Sequence, residues 1–163
     1  MIIPTRRIGV HTSISGGVHW SVERAHELGC TTMQIFSHNP RQWFAGHLQE
    51  THISQFRELR ERYDVNPVFI HTSYLINLAA MNPEVLEKSV TLLIQEMDLA
   101  DALGAEYVVL HTGSASQDTG DNARQRAVGA LRQVARVRQW RAQLLLENTA
   151  GERGDISSRI ADI

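Results

Sequence analysis

Residues 107–114 read Tyr107-Val108-Val109-Leu110-His111-Thr112-Gly113-Ser114. An aromatic residue followed by three aliphatic ones is too continuous for a strand with one wet face. The run closes on His111, a metal-ligand residue type, and Gly113 then punctuates the chain. The stretch reads as a buried parallel strand with chemistry at its carboxyl end. Just upstream, residues 83–103 form the clearest helical pattern. Leu86, Val90, Leu93, Ile94, Met97 and Ala100 follow a 3.6-residue period, Pro83 and Glu84 suit a first turn, and Gly104 closes the helix.

The same unit recurs on both sides. Val68-Phe69-Ile70-His71 and Leu144-Leu145-Leu146-Glu147 are apolar triplets closed by ligand-type residues, 40 residues before and 36 after His111. Residues 32–37 and Ile8-Gly9-Val10-His11 supply two earlier strands, which makes about five. Helices are expected over residues 17–28 with Gly29 as the stop, 52–63 carrying Ile53, Phe56, Leu59 and the stem of Arg60, and 122–139. The tail 156–163 reads as the start of another helix. Alternating β and α elements with strands this apolar predict an α/β parallel sheet, either open and doubly wound or closed into a barrel. No linker divides residues 1–163, so one domain is expected.

Repetition at intervals of one βα unit carries His71, His111 and Glu147 to comparable heights on the carboxyl-end rim, where such folds place their active sites. Two imidazoles and a carboxylate suit Zn²⁺, which takes nitrogen and oxygen ligands and keeps an open position when catalytic. Water bound there becomes a nucleophile near neutral pH. A lone strand-end histidine is more often a satisfied polar residue, but three ligand types repeating in register favour the metal. Position alone does not identify the reaction.

Composition sets bounds. The chain has 163 residues, 42% hydrophobic and 21% charged, with a formal net charge of -2. That suits one globular domain. The charge is low for a DNA-binding module, so any such contact must come from a local patch. The single cysteine, Cys30, excludes an internal disulfide, and the opening residues lack the apolar run of a signal peptide. Nor does any stretch approach the roughly 20 apolar residues of a membrane span. A cytoplasmic protein is expected. Arg124, Arg126, Arg132, Arg136, Arg138 and Arg141 read as a solvated face, and Trp20, Trp43 and Trp140 as packing residues.

The segments after the strands are more specific. They are Phe36-Ser37-His38-Asn39-Pro40-Arg41-Gln42-Trp43, His71-Thr72-Ser73-Tyr74-Leu75-Ile76-Asn77-Leu78, His111-Thr112-Gly113-Ser114 and Glu147-Asn148-Thr149-Ala150-Gly151. With Ile8-Gly9-Val10-His11-Thr12-Ser13 and Gly16-Gly17, the chain resembles the endonuclease IV family over about residues 8–154. The resemblance implies the amino-terminal part of a xylose isomerase-like (β/α) TIM-type barrel with a trinuclear zinc cluster. It implies hydrolysis of the phosphodiester 5′ to an abasic site in double-stranded DNA, leaving a 3′-hydroxyl and a 5′-deoxyribose phosphate. His71 and His111 fall on zinc ligands, and Glu147 on a metal-bridging, catalytic carboxylate. Arg41 and Gln42 match residues that enter the DNA at the lesion, and Tyr74 and Leu75 residues that wedge beside it. The bland alternatives are a solvated Arg-Gln pair and a Tyr-Leu cover on the rim. His11 and Asn39 suit positions supporting the ligands or contacting DNA.

The match also has departures. The family's barrels run to eight strands, and their later strands carry further zinc ligands without counterparts here, so this ligand set completes at most one metal. The family is usually monomeric. This shorter chain is expected to be a fragment, a truncated product, or a piece of a split or self-associating barrel with open sheet edges. Ala115 and Glu152-Arg153 depart from the family's local pattern. Two other functions stay open: a sugar isomerase-like metal barrel enzyme, and an inactive remnant that binds damaged DNA or zinc.

Overall fold

The four strands of the sheet pair in parallel in the order in which they occur along the chain. A computed structural model describes residues 6–115, 118–151 and 154–162. The elements are α1 (Trp20–Glu27), β1 (Met33–Phe36), α2 (Glu50–Arg62), β2 (Val68–His71), α3 (Pro83–Leu103), β3 (Tyr107–His111), α4 (Gly120–Ala135), β4 (Gln143–Glu147) and a 3-10 turn (Ile160–Asp162). Each strand adds beside the one before it, with helices packing in sequence, α1 on α2, α2 on α3 and α3 on α4. A doubly wound sheet would reverse its strand order at a switch point. Consecutive order is that of a barrel wall, here a partial one, and it resolves the choice that sequence pattern left open.

The strands bury one face only. Met33, Ile35, Val68, Ile70, Val108 and Leu110 are fully enclosed within the core that also takes in Val22, Phe56, Leu93 and Met97. Each such side chain contributes about 1.5–3 kcal/mol by leaving water. The alternate residues Gln34, Phe36, Phe69, His71, Tyr107 and Val109 are only half-buried, because they face the barrel interior. The expectation of strands buried on both faces is corrected to this extent. On β4 even Leu145 is exposed, and Leu144 and Leu146 are half-buried, so the open edge is apolar.

α3 runs as the 3.6-residue period predicts. Asn82 caps it by accepting from Glu84 N and Val85 N, Pro83 fills the first turn, and Gly104 takes a left-handed conformation at its end. Elsewhere the expected boundaries shift. The first expected strand is reduced to one parallel bridge, His11 to Gln34, although Val10 O and Thr12 N also bond to Gln34. α1 starts later, at Trp20, because Gly16 and Gly17 both take positive φ. Among the described residues the tail forms no α-helix: Asp155, just before it, pairs with Ser114 in an antiparallel bridge, and Ile160–Asp162 makes a 3-10 turn. Trp20 is half exposed, not packed. Glu152-Arg153 and Ile163 lie outside the described residues. No described helix is long and apolar enough to cross a membrane.

Candidate metal centre

Three strand ends deliver the site. His71 closes β2, His111 closes β3 and Glu147 closes β4. Their heights are set by pairing register. His111 lies opposite Glu147, whereas His71 lies opposite Val109, two residues below His111 on the same face. The equal heights expected from spacing are thus staggered by two residues between β2 and β3, in keeping with the stagger of a barrel. All three side chains still project to one side of the sheet.

One ligand atom from each residue lies within 4.8 Å of the other two. His71 Nε2 is 3.2 Å and His111 Nε2 3.0 Å from Glu147 Oε2, and the two imidazoles meet edge to face at 5.1 Å. The His71 side chain is 13% exposed, that of His111 50% and that of Glu147 41%, so the site opens outward along β3 and β4. His71 Nδ1 lies 2.9 Å from the Thr72 carbonyl. A carbonyl only accepts, so Nδ1 carries a proton and Nε2 is the ring atom turned toward Glu147. A ring nitrogen and a carboxylate oxygen at that distance share either a proton or a cation. The donor set therefore fits a divalent ion with nitrogen and oxygen preferences.

The other expected residues ring this centre. Phe36, at the end of β1, contacts His11 at 4.5 Å, His71 at 5.7 Å and Tyr74 at 5.1 Å between ring centroids. His11 also bonds Gln34 through Nδ1 at 3.1 Å. Burial, with smaller repulsion from His71, lowers its pKa and favours the neutral ring. His11 and Asn39 line a cleft with Thr12, Phe36 and His38. Asn39 Oδ1 accepts from Arg41 N, and Asn39 O from Gln42 N, shaping the turn that holds Arg41 and Gln42 exposed. Tyr74 is 68% exposed, and Leu75 is half-buried. The arginine run is largely engaged locally, with Arg126 on Asp118 and Arg138 on Asp98 and Asp101.

Sequence reasoning missed two supports. Asn77 Oδ1 accepts from both Ala79 N and Ser114 N, and its amide donates to Ser114 O, which ties the loop after β2 to the loop after β3. The second is a buried pair, His38 and Glu96, at 2.7 Å. Glu96 lies on the apolar stripe of α3 beside Leu92, Leu93 and Met97. A carboxylate at a core position of a helical period was the available signal.

Comparison with known proteins follows the same lines. The chain is 42% identical to Endonuclease 4 of Thermus thermophilus across 96% of its own length and 57% of that relative's. A crystal structure of endonuclease IV from the same species superposes with a TM-score of 0.82 at 42% identity, over 96% of this chain and 57% of that one. An L-ribulose 3-epimerase structure superposes with a TM-score of 0.72 at 18% identity, over 97% of this chain and 55% of that one, which is a likeness of fold alone. The chain spans about half the length of the curated relatives it matches, 56–57% for the first three. Residues 22–163 match the sequence model of the xylose isomerase-like TIM barrel, and the chain belongs to that family.

Proposed function

We propose that this chain forms the amino-terminal, metal-holding part of a DNA-repair endonuclease that hydrolyses the phosphodiester 5′ to abasic sites, leaving a 3′-hydroxyl and a 5′-deoxyribose phosphate. The observation that carries the reading is the convergence of His71, His111 and Glu147 within 4.8 Å on adjacent parallel strands. Similarity to proteins named endonuclease 4 across nearly the whole chain supports the same class. The ion proposed is zinc. When bound, it supplies Lewis acidity at the phosphoryl group and activates water for attack.

The chain's own residues prepare for that chemistry. His71 and His111 offer Nε2, and Glu147 offers a carboxylate oxygen. A bound cation would offset the Glu147 carboxylate as a phosphodiester approaches. Exposed Arg41, Gln42 and Tyr74, with half-buried Leu75, stand on the same rim. In this reading Arg41 and Gln42 enter the duplex at the lesion while Tyr74 and Leu75 wedge beside it, offsetting a flipping cost of a few kcal/mol. His11 and Asn39 contact the backbone or steady the ring at His71. A rim of exposed wedge residues suits a duplex better than an enclosed sugar-sized pocket does. Cys30 is a free thiol, which suits a reducing compartment such as the cytoplasm.

The test is binding and cleavage of an abasic duplex against an intact one, with zinc and then with chelator. We expect the abasic duplex to bind more tightly and chelator to remove cleavage. Equal binding of both duplexes, indifferent to chelator, rules the reading out. Abasic-selective binding without cleavage identifies a binding-only form.

A further inference from the structure

Below the rim, one carboxylate oxygen holds two loops at once. Glu96 Oε1 lies 2.7 Å from His38 Nε2, in the loop after β1, and accepts from Ser73 N at 2.9 Å, in the loop after β2. Both side chains are buried, His38 at 6% and Glu96 at 1% exposed. The bond network then spreads to the rim. Ser73 Oγ donates to Pro40 O at 2.6 Å, directly before Arg41, and accepts from Leu75 N at 3.2 Å. Gln95 Oε1, next on α3, accepts from Ala45 N, and Ser89 Oγ accepts from Asn77 N. α3 thus grips both ends of each loop, with Glu96 as the shared point. Its other oxygen has no partner among the described residues, so the carboxylate's hydrogen bonding goes to these two loops.

We propose that Glu96 is a positioning residue: by holding His38 and Ser73 together, it sets the spacing between the Arg41-Gln42 and Tyr74-Leu75 segments. The consequence for DNA rests on the function proposed above. Two segments that engage opposite sides of one lesion must keep a fixed separation, and a displacement of about 1 Å is enough to cost a large factor in a positioned reaction. The metal ligands belong to the strands and depend on Glu96 much less.

Glu96→Met keeps the length of the side chain and removes both acceptor oxygens. Glu96→Gln keeps an acceptor for Ser73 N and for a protonated His38 Nε2. In the full chain, amide hydrogen exchange reads the loops and zinc titration reads the metal centre. In Glu96→Met we expect the Arg41, Gln42, Ser73 and Leu75 amides to exchange faster by about tenfold or more. Thr72, which bonds Val109 O within the sheet, should stay protected, and zinc affinity should hold. The preference for abasic over intact duplex should fall about tenfold, and Glu96→Gln should restore both properties. Unchanged loop exchange, or a loss of zinc affinity in parallel with DNA preference, overturns the proposal. If the unaltered chain shows no abasic preference, the functional reading fails, while exchange still decides whether Glu96 sets the loops. Should Glu96→Met not fold, His38→Leu carries the test: loosening confined to residues 37–46 with reduced preference supports it, and unchanged preference refutes it.

Discussion

His111 and Glu147 are register partners across β3 and β4, and their side chains meet with Nε2 3.0 Å from Oε2. The contact follows from sheet pairing, with no dependence on a loop. His71 joins from a strand offset by two residues, with Nε2 3.2 Å from the same oxygen. A centre built on strand ends is held by the barrel wall, the most rigid part of such a fold.

Glu147→Gln should therefore remove metal binding while leaving the fold intact. The substitution conserves shape and eliminates the anionic donor on which both imidazoles converge. Losing a group that merely orients a ligand costs about 10–100-fold in metal affinity, and losing a ligand should cost at least as much. Calorimetric zinc titration beside a thermal melt measures both. Wild-type affinity in this variant would mean that the ion binds somewhere else.

Much of this centre was legible in the sequence, for a physical reason. A buried parallel strand is a continuous apolar run, so the first polar residue after it marks the carboxyl-end rim, and His71, His111 and Glu147 each occupy that position. The stagger was not legible, because it depends on strand register, which spacing does not encode. β4 was misjudged for a related reason: Leu144, Leu145 and Leu146 read as buried, yet Leu145 is exposed and the other two are half-buried at the sheet's edge. The Glu96 bracket escaped because its partner His38 is 58 residues away in sequence. The 156–163 segment has helical composition, but Asp155 just before it bridges Ser114 and Ser157 bonds to Thr149 and Glu147, contacts that win over local propensity.

Gly113→Ala should destabilise the rim. Gly113 has φ +113°, and a Cβ there would overlap the Asn77 side-chain oxygen that ties two loops together. Forcing an L residue into this conformation costs roughly 1–3 kcal/mol in backbone strain alone, and the clash adds to it. Asn77→Ala breaks the same link from its other side. The two substitutions combined should destabilise by less than their sum, since they disrupt one contact. Urea denaturation of the single and double variants measures the coupling, and strict additivity would separate the two positions.

Glu96 also gives a signed pH dependence. Burial raises its pKa above 4.5, against the opposing pull of the His38 hydrogen bond. In the window between 4.5 and the raised value, the folded protein keeps a proton that the unfolded chain has released. Stability from this group is therefore greatest below the window and declines as pH rises through it. Glu96→Gln removes the proton exchange, so the stability difference, variant minus wild type, should rise with pH there. Denaturation midpoints measured across that range test it, and a difference independent of pH would exclude the raised pKa.

Among the described residues the outer edge of β4 pairs with no further strand, and the 163-residue chain on its own should self-associate there. Leu145 is 36% exposed on β4. On the other face of the strand, Met97, Leu131, Val134, Trp140, Leu144 and Leu146 line an apolar groove of about 670 Å³. An unpaired strand edge with apolar side chains is a template for another chain. Leu145→Lys places a charge on that edge at little cost to the core, and it should shift sedimentation profiles toward monomer at the same protein concentration. No change in the distribution would show that the edge does not mediate association.

Arg41 and Tyr74 should affect DNA without affecting the metal. Both are exposed, and Phe36 links Tyr74 to the centre, its ring contacting Tyr74 at 5.1 Å and His71 at 5.7 Å. A wedge residue acts on the unstacked step, so Tyr74→Ala should weaken abasic duplex by about 1–3 kcal/mol, the range of a lost base-stacking contact. Intact duplex, which offers no gap, should be nearly unaffected. Arg41 can act at the lesion or on a phosphate, and salt separates the two. A phosphate contact contributes about 0.9 to the slope of log K against log salt, and Arg41→Ala would lower the slope by that amount on both duplexes. Entry at the lesion predicts instead a loss confined to the abasic duplex, in addition to any change of slope. Binding isotherms at several salt concentrations, with zinc affinity as the control, distinguish these outcomes, and an equal loss on both duplexes assigns Arg41 to the backbone.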